Sequence, residues 1–288
     1  MRQAYLRAVD YYLPDATVTN EELVQRFPDW TAEKIEDKTG IRSRRVVSDS
    51  QLASDLAVAA AERLFQSGVC TPAEIDFILF CTQSPDYLLP STSCLIQERL
   101  GIPTTAGAFD FNLGCSGFVY GLSTAKGLIE TGQADNVLLL TAETYTKHLD
   151  PDDISVRAVF GDGAAATLIS SRDASDAESI GPFVFGTDGQ GASRLILREG
   201  SLREKVEHRD APGDKLRMNG PDIFTFTLKQ VPASVNAVLA KSGKTLDDID
   251  LFVFHQANKF MLEHLRKKIK IPEEKFVYAL EDCGNTVS

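Results

Sequence analysis

No stretch of this chain approaches the roughly eighteen consecutive apolar residues that a membrane helix requires, and its opening, MRQAYLRAVDYYLP, lacks the apolar core of a signal peptide. Both absences point to a cytoplasmic protein. Cysteine is scarce: the five residues, at positions 70, 81, 94, 115 and 283, have neither the close spacing of a zinc site nor the density of a disulfide scaffold. Reduced thiols follow, and one of them is free to be a nucleophile. Cations are outnumbered, 30 Lys and Arg against 41 Asp and Glu, for a formal net charge of −11. That balance argues against nucleic acid or an anionic membrane as the main partner, because phosphate binding draws on cationic side chains. An acidic partner would need a local basic patch. Two candidates exist, Arg42 with Arg44 and Arg45, and Arg266 with Lys267, Lys268 and Lys270.

What the chain does have is enough apolar residue, 43% of 288, for one large domain or two of moderate size. It also has an internal repeat. The segment LFQSGVCTPAEIDFILFCTQ (64 to 83) resembles LAKSGKTLDDIDLFVFHQ (239 to 256) once a single gap follows the Ser-Gly pair. Each copy reads as an amphipathic helix ending at a glycine C-cap, an acidic turn, and an apolar strand. Both continue through another helix to a β-rich segment, AGAFDFNLGC in one and EKFVYALEDCGN in the other. Apolar strands alternating with helices predict α/β layers, with runs such as FILF and LFVF suited to strands covered on both faces. The division expected is two similar α/β halves, 1–170 and 171–288.

Candidate chemistry falls at the ends of equivalent strands, where sites in α/β sheets usually lie. Cys115 follows the strand-like FDF and precedes a helix-like run, so its thiol is predicted at a helix N-terminus. There the dipole and unpaired N–H groups would lower its pKa and could hold the oxygen of an attacked thioester. Flanking Gly114 and Gly117 would admit a substrate or another backbone closely. His255 ends LFVF, and Asn285 sits in CGNTVS. Taken singly, His255 could merely cap a sheet and Asn285 merely turn the chain. Together the three fit carbon–carbon bond formation: Cys115 carries an acyl group, and neutral His255 and the Asn285 amide donate hydrogen bonds to an enolate made by decarboxylation. No metal is needed. A Cys-His pair alone would equally allow a hydrolase.

The chain resembles the β-ketoacyl-[acyl carrier protein] synthase III family along essentially its whole length. The resemblance is carried in order by TGIRSRR (39 to 45), LPSTSCLIQERLG (89 to 101), DFNLGCSGF (110 to 118), FGDGAAA (160 to 166), MNGPDIF (218 to 224), FHQAN (254 to 258) and GNTVS (284 to 288). It implies a thiolase-like five-layer αβαβα fold from two duplicated halves, a homodimer, and Cys115, His255 and Asn285 as catalytic residues. It implies acyl-CoA as donor and malonyl-acyl carrier protein as extender, with no cofactor beyond coenzyme A and phosphopantetheine thioesters. Carrier docking would fall on Gln256, Ala257, Asn258, Lys259 and Phe260, with Arg266, Lys267 and Lys268, although the stronger form of the motif has arginine where this chain has Phe260. Leu89 would shape the acyl pocket across the dimer, and Phe224 would lie near the tunnel mouth.

The sequence departs from the family pattern in two places. The tryptophan and arginine that commonly stack the adenine of acetyl-CoA align with Lys34 and Ile154, with Trp30 nearby but out of register. A longer acyl-CoA or an acyl carrier thioester is therefore open as primer. Family members also continue past GNT-x-S, so the second half is expected to be truncated here. Two rival readings remain: an acyltransferase or thioesterase-like relative using the same acyl-cysteine, and a non-catalytic partner subunit. The glycine-rich GTDGQGAS (186 to 193) reads as a loop rather than a phosphate-binding fingerprint.

Overall fold

The computed structural model describes residues 2–173, 179–203 and 215–288. Five strands form the main sheet: β1 (Arg2–Tyr12), β4 (Phe77–Cys81), β5 (Gly107–Phe111), β6 (Asn136–Glu143) and β7 (Gly163–Asp173), in the order β1-β7-β6-β4-β5. β4 runs parallel to β5 and β6, whereas β7 is antiparallel to β1 and β6. A small hairpin, β2 (Thr17–Thr19) and β3 (Ser43–Arg45), frames α1 (Asn20–Arg26) and α2 (Ala32–Thr39).

The apolar runs of β4 and β6 are buried from both sides, as expected for FILF, whereas LFVF, expected to be covered likewise, leaves Leu251 and Val253 exposed because no second layer of strands encloses it among the described residues. Leu138, Leu140 and Ala142 of β6 and Ile78 and Phe80 of β4 face α3 (Ala53–Gln66), while Val137, Leu139 and Leu79 face the opposite layer with Ala125 and Ile129 of α5 (Gly117–Glu130). This alternation is the two-residue period of a strand. α4 (Thr92–Arg99) links β4 to β5, and α5 links β5 to β6 on the other face. The connections therefore leave in opposite directions where β5, β4 and β6 end, the place in a parallel sheet where a crevice opens. Gln83, Cys115 and Glu143 all sit at those ends.

The second copy of the repeat keeps its local elements but not a ladder. α7 (Gly220–Ser242) ends at Gly243 in the left-handed conformation, with φ +66°, as the glycine predicts. The strand-like LFVF makes one parallel bridge, Phe252 to Phe276, and among the described residues no further strand flanks it. The second sheet expected of a five-layer arrangement is thus represented by two parallel segments. α8 (Lys259–Ile269) packs its Leu262 and Ile269 against Phe252, Phe276 and Ile41. Among the described residues no helix is long and apolar enough to cross a membrane.

Candidate active site

Cys115 lies in the turn between β5 and α5. The Gly117 N–H donates to the Gly114 carbonyl at 2.7 Å, and α5 begins two residues beyond the cysteine with Ser116 as its cap. The helix N-terminus predicted from the sequence is therefore there. The thiol pKa runs the other way: burial pushes Cys115 up, with its own backbone N–H opposing. The residue presents surface to solvent, yet its sulfur sits deep enough among protein atoms for desolvation to outweigh that N–H. The helix dipole acts against this rise and does not remove the cause.

The flanking glycines make room for the chain itself. A side chain at 114 would come within 2.7 Å of the Gln83 amide oxygen, and one at 117 would collide with the Cys81 sulfur and the Ser288 hydroxyl. Ser288 in turn donates to the Gly114 carbonyl at 2.8 Å, so the GNTVS segment lies directly over the cysteine turn. Burial drives the Cys81 thiol up to about 11, which makes it an inert filler beneath the turn.

GNTVS also carries Asn285 to His255. Asn285 is buried, its N–H donating to the Val159 carbonyl and its carbonyl accepting from Gly161 N–H, so the FGDG motif fixes its backbone. Its side-chain oxygen accepts from Val287 N–H at 2.9 Å, which leaves the amide nitrogen facing His255 Nε2 at 3.5 Å. Two nitrogens at that separation can share one acceptor oxygen about 2.9 Å from each. Burial depresses His255 to about 4, so its ring is neutral near pH 7.

Asp162, between Gly161 and Gly163, accepts from Val47 N–H and Thr146 N–H at 2.9 Å each, tying three loops below the site. One further residue escaped the sequence reading. Glu143 accepts from Gln83 N–H and from the Ser84 hydroxyl. Its signal was a lone carboxylate closing the apolar run NVLLLTAE.

Other expected residues are placed as follows. The Gln256 side chain donates to the Phe254 and Val277 carbonyls and accepts from Ala279 N–H, bracing the second copy from inside. Ala257 follows as a half-buried turn residue, its N–H donating to the His255 carbonyl. Asn258 caps α8, accepting from Met261 N–H at 2.8 Å. Lys259 packs its stem on Gly40, while Phe260 is half-exposed and grouped with Phe224 and His264, ring centres 5.4 and 4.2 Å away. Arg266 is nearly covered and paired with Glu263 and Glu273; Lys267 also reaches Glu263, and Lys268 faces solvent. Leu89 is exposed on the loop before α4.

The first basic group does not form an anion site. Arg44 is fully buried, donating to the Ala158 carbonyl and the Asn20 side chain, and desolvation lowers it to about 10. Arg42 pairs with Asp282. Around Trp30, the Lys34 and Lys38 ammonium groups lie 4.5 and 4.9 Å from the ring centre, and Ile154 packs with it against Ile35.

Comparison with known proteins agrees with this geometry. Residues 109–189 match the family model for 3-oxoacyl-[acyl-carrier-protein] synthase III, and residues 239–288 match that for its C-terminal part. The β-ketoacyl-[acyl-carrier-protein] synthase III of Caldanaerobacter subterraneus is 36% identical over 277 residues, covering 96% of this chain and 82% of that protein. A crystal structure of a 3-oxoacyl-(acyl-carrier-protein) synthase III superposes with a TM-score of 0.96 at 51% identity, covering 99% of this chain and 88% of that one. The priming β-ketosynthase of the R1128 polyketide pathway superposes at 0.90 with 33% identity, covering 99% and 84%. With the Cys115 turn, the His255 and Asn285 pair and these matches together, the chain belongs to the thiolase-fold 3-oxoacyl-[acyl-carrier-protein] synthase III family of acyltransferases.

Proposed function

We propose that Cys115, His255 and Asn285 carry out a decarboxylative condensation in two stages, in fatty-acid or related acyl biosynthesis. Cys115, having given up its proton, attacks an acyl thioester; the carbonyl carbon gains the Cys115 sulfur and expels the donor as a thiolate that takes up that proton, leaving an acyl-enzyme. A malonyl thioester on a carrier protein then loses CO₂, and the electron pair of the broken bond forms an enolate. Neutral His255 and the Asn285 amide donate to its oxygen. Its carbon attacks the acyl-enzyme, freeing the thiol and leaving a β-ketoacyl chain on the carrier.

The observation that carries this reading is the His255 and Asn285 pair, two neutral donors 3.5 Å apart under the same segment that covers Cys115. Transfer to an alcohol, amine or water would leave the Asn285 amide, held 3.5 Å from His255, without an enolate oxygen to donate to. A non-catalytic partner subunit would have no use for the pair. The donor is an acyl-CoA or an acyl carrier thioester, since Lys34 and Ile154 stand where an adenine-stacking pair would, and Lys34 and Lys38 lie against the Trp30 ring.

For an acidic carrier, α8 offers the exposed cations Lys259, Lys267 and Lys268, with Phe260 offering an apolar contact. A homodimer is part of the proposal, supported by the open side of edge strand β5 with half-exposed Phe109 and by exposed Leu88 and Leu89. So are Leu89 and Phe224 as walls of the acyl site, a division near residue 170, and a cytoplasmic location suited to free thiols.

The test is to incubate the protein with an acyl-CoA panel, find the acylated residue by intact and peptide mass, then add malonyl-acyl carrier protein. Cys115→Ala should abolish loading. Asn285→Ala should load normally but release CO₂ at least about a hundredfold more slowly, the usual loss for one oxyanion donor. Loading blocked by Asn285→Ala with decarboxylation intact would overturn the assignment.

A further inference from the structure

Glu143 ends the central strand β6 and is fully buried. A carboxyl group in that position needs a cation or several donors, and among the described residues no cation pairs with it. The charged and titratable groups around it are Asp162 at the start of β7, Cys115 in the turn before α5, Cys81 at the end of β4, and Tyr145 just past β6. Its two oxygens instead accept from Gln83 N–H at 2.7 Å and from the Ser84 hydroxyl at 2.9 Å.

That pins the turn after β4. The Gln83 side chain then lies where a residue other than glycine at 114 would put its Cβ, 2.7 Å from the amide oxygen. It is held there from two sides, its nitrogen donating to the Asn112 side chain at 3.2 Å and its oxygen accepting from the Tyr145 hydroxyl at 3.4 Å. Asn112 and Gly114 bracket the peptide leading into Cys115.

We propose that Glu143 is a positioning residue for Cys115, locking the turn after β4 so that Gln83 is wedged against Gly114 and fixes the peptide that presents the sulfur. The proposal rests on the reading of Cys115 as the acylated residue. The protonation state of Glu143 supports it. Burial pushes the carboxyl up to about 8, so near neutrality it retains its proton. The Ser84 contact serves both states, because a hydroxyl donates to a carboxylate and accepts from the acid. A neutral Glu143 spares a Cys115 thiolate the repulsion of a second negative charge, and ionisation of Glu143 imposes it.

The experiment measures alkylation of Cys115 by iodoacetamide, read at the Cys115 peptide by mass spectrometry, from about pH 6 to about pH 10, a range spanning the ordinary thiol value. Wild-type reactivity should climb in a profile broadened by two coupled titrations. Glu143→Ala should react more slowly near pH 7.5, because a turn released from the Gln83 N–H and Ser84 hydroxyl contacts no longer holds the peptide that presents the sulfur. Glu143→Gln keeps the polar contacts without the charge. It should recover most of that rate and titrate in a single step at lower pH. An alanine variant as reactive as wild type, or a glutamine variant with the broad profile intact, overturns the proposal.

If Glu143→Ala fails to fold by circular dichroism, Gln83→Ala tests the same wedge from the surface side. It should show the same loss, and an unchanged rate overturns the proposal. Acyl loading is assayed in parallel. Absent loading in wild type with these alkylation results would remove the functional reading and leave the positioning role of Glu143 standing.

Discussion

The two copies of the internal repeat have matching local chemistry and unlike burial. In the first, Thr71 donates its N–H and hydroxyl to Glu74 at 2.7 and 2.9 Å; in the second, Thr245 makes the same pair to Asp248, both at 2.8 Å. Both precede an Ile-Asp pair and an apolar strand, and each strand pairs in parallel with the segment that leads to the site, Phe77 with Gly107 and Phe252 with Phe276. Yet Leu79 is fully buried while its counterpart Val253 is 70% exposed. α3 buries eight residues and the longer α7 buries none. Caps and turns are encoded within a few residues. Burial of a strand depends on neighbours far along the chain.

The largest expected effect breaks or upholds that contrast directly. Leu79→Ala should cost about 2 to 5 kcal/mol in urea unfolding, the range for a buried leucine. Val253→Ala should stay within roughly 0.5 kcal/mol, as exposed positions do. Equal losses at the two positions would show that the second copy is as enclosed as the first.

A smaller effect concerns pH. His255, from the second copy, is depressed to about 4, so below the ordinary histidine value the unfolded chain binds a proton that the native state does not. Stability contributed by the neutral ring is therefore complete above that value and is lost as pH falls toward 4. Glu143, from the first, has the opposite sign. Its raised carboxyl binds a proton that the unfolded chain gives up, so its contribution fades as pH rises from the ordinary glutamate value through about 8. Urea midpoints against pH should lose the acid-side slope in His255→Gln and the neutral-side slope in Glu143→Gln. Exchanged slopes would refute both assignments.

The smallest effect sharpens the likeness. The Thr71 and Thr245 donors hold Glu74 and Asp248 below their ordinary carboxylate values. Thr71→Val and Thr245→Val should each let the carboxylate titrate closer to normal by NMR, in the same direction. A shift in one copy alone would mark the repeat as superficial.

The elements and the chemical groups were legible from sequence because their signals are local. The FILF run became a strand covered on both faces and the Gly243 cap took its left-handed turn, whereas LFVF, read the same way, is half exposed and makes a single bridge. What was illegible lies between elements. The Glu143 contact to Gln83 spans 60 positions and exists only because β6 lies beside β4. Arg44 reads as a surface cation in TGIRSRR, but its guanidinium is buried against the Ala158 carbonyl, 114 positions away. The direction of the Cys115 shift was missed for the same reason. A helix N-terminus is visible in a sequence, whereas the atoms that desolvate a sulfur are not.

The absence of a side chain at Gly161 has a consequence for tolerance to mutation. Any Cβ there would strike the Cys283 carbonyl, and the Gly161 N–H donates to the Asn285 carbonyl. Gly186, Gly189 and Gly191 have open space around the same position. A saturation library scored for acyl loading should accept nearly every amino acid at those three loop sites and glycine alone at 161, where an added methyl group would push apart the chain at 161 and the chain at 283 that together seat Asn285.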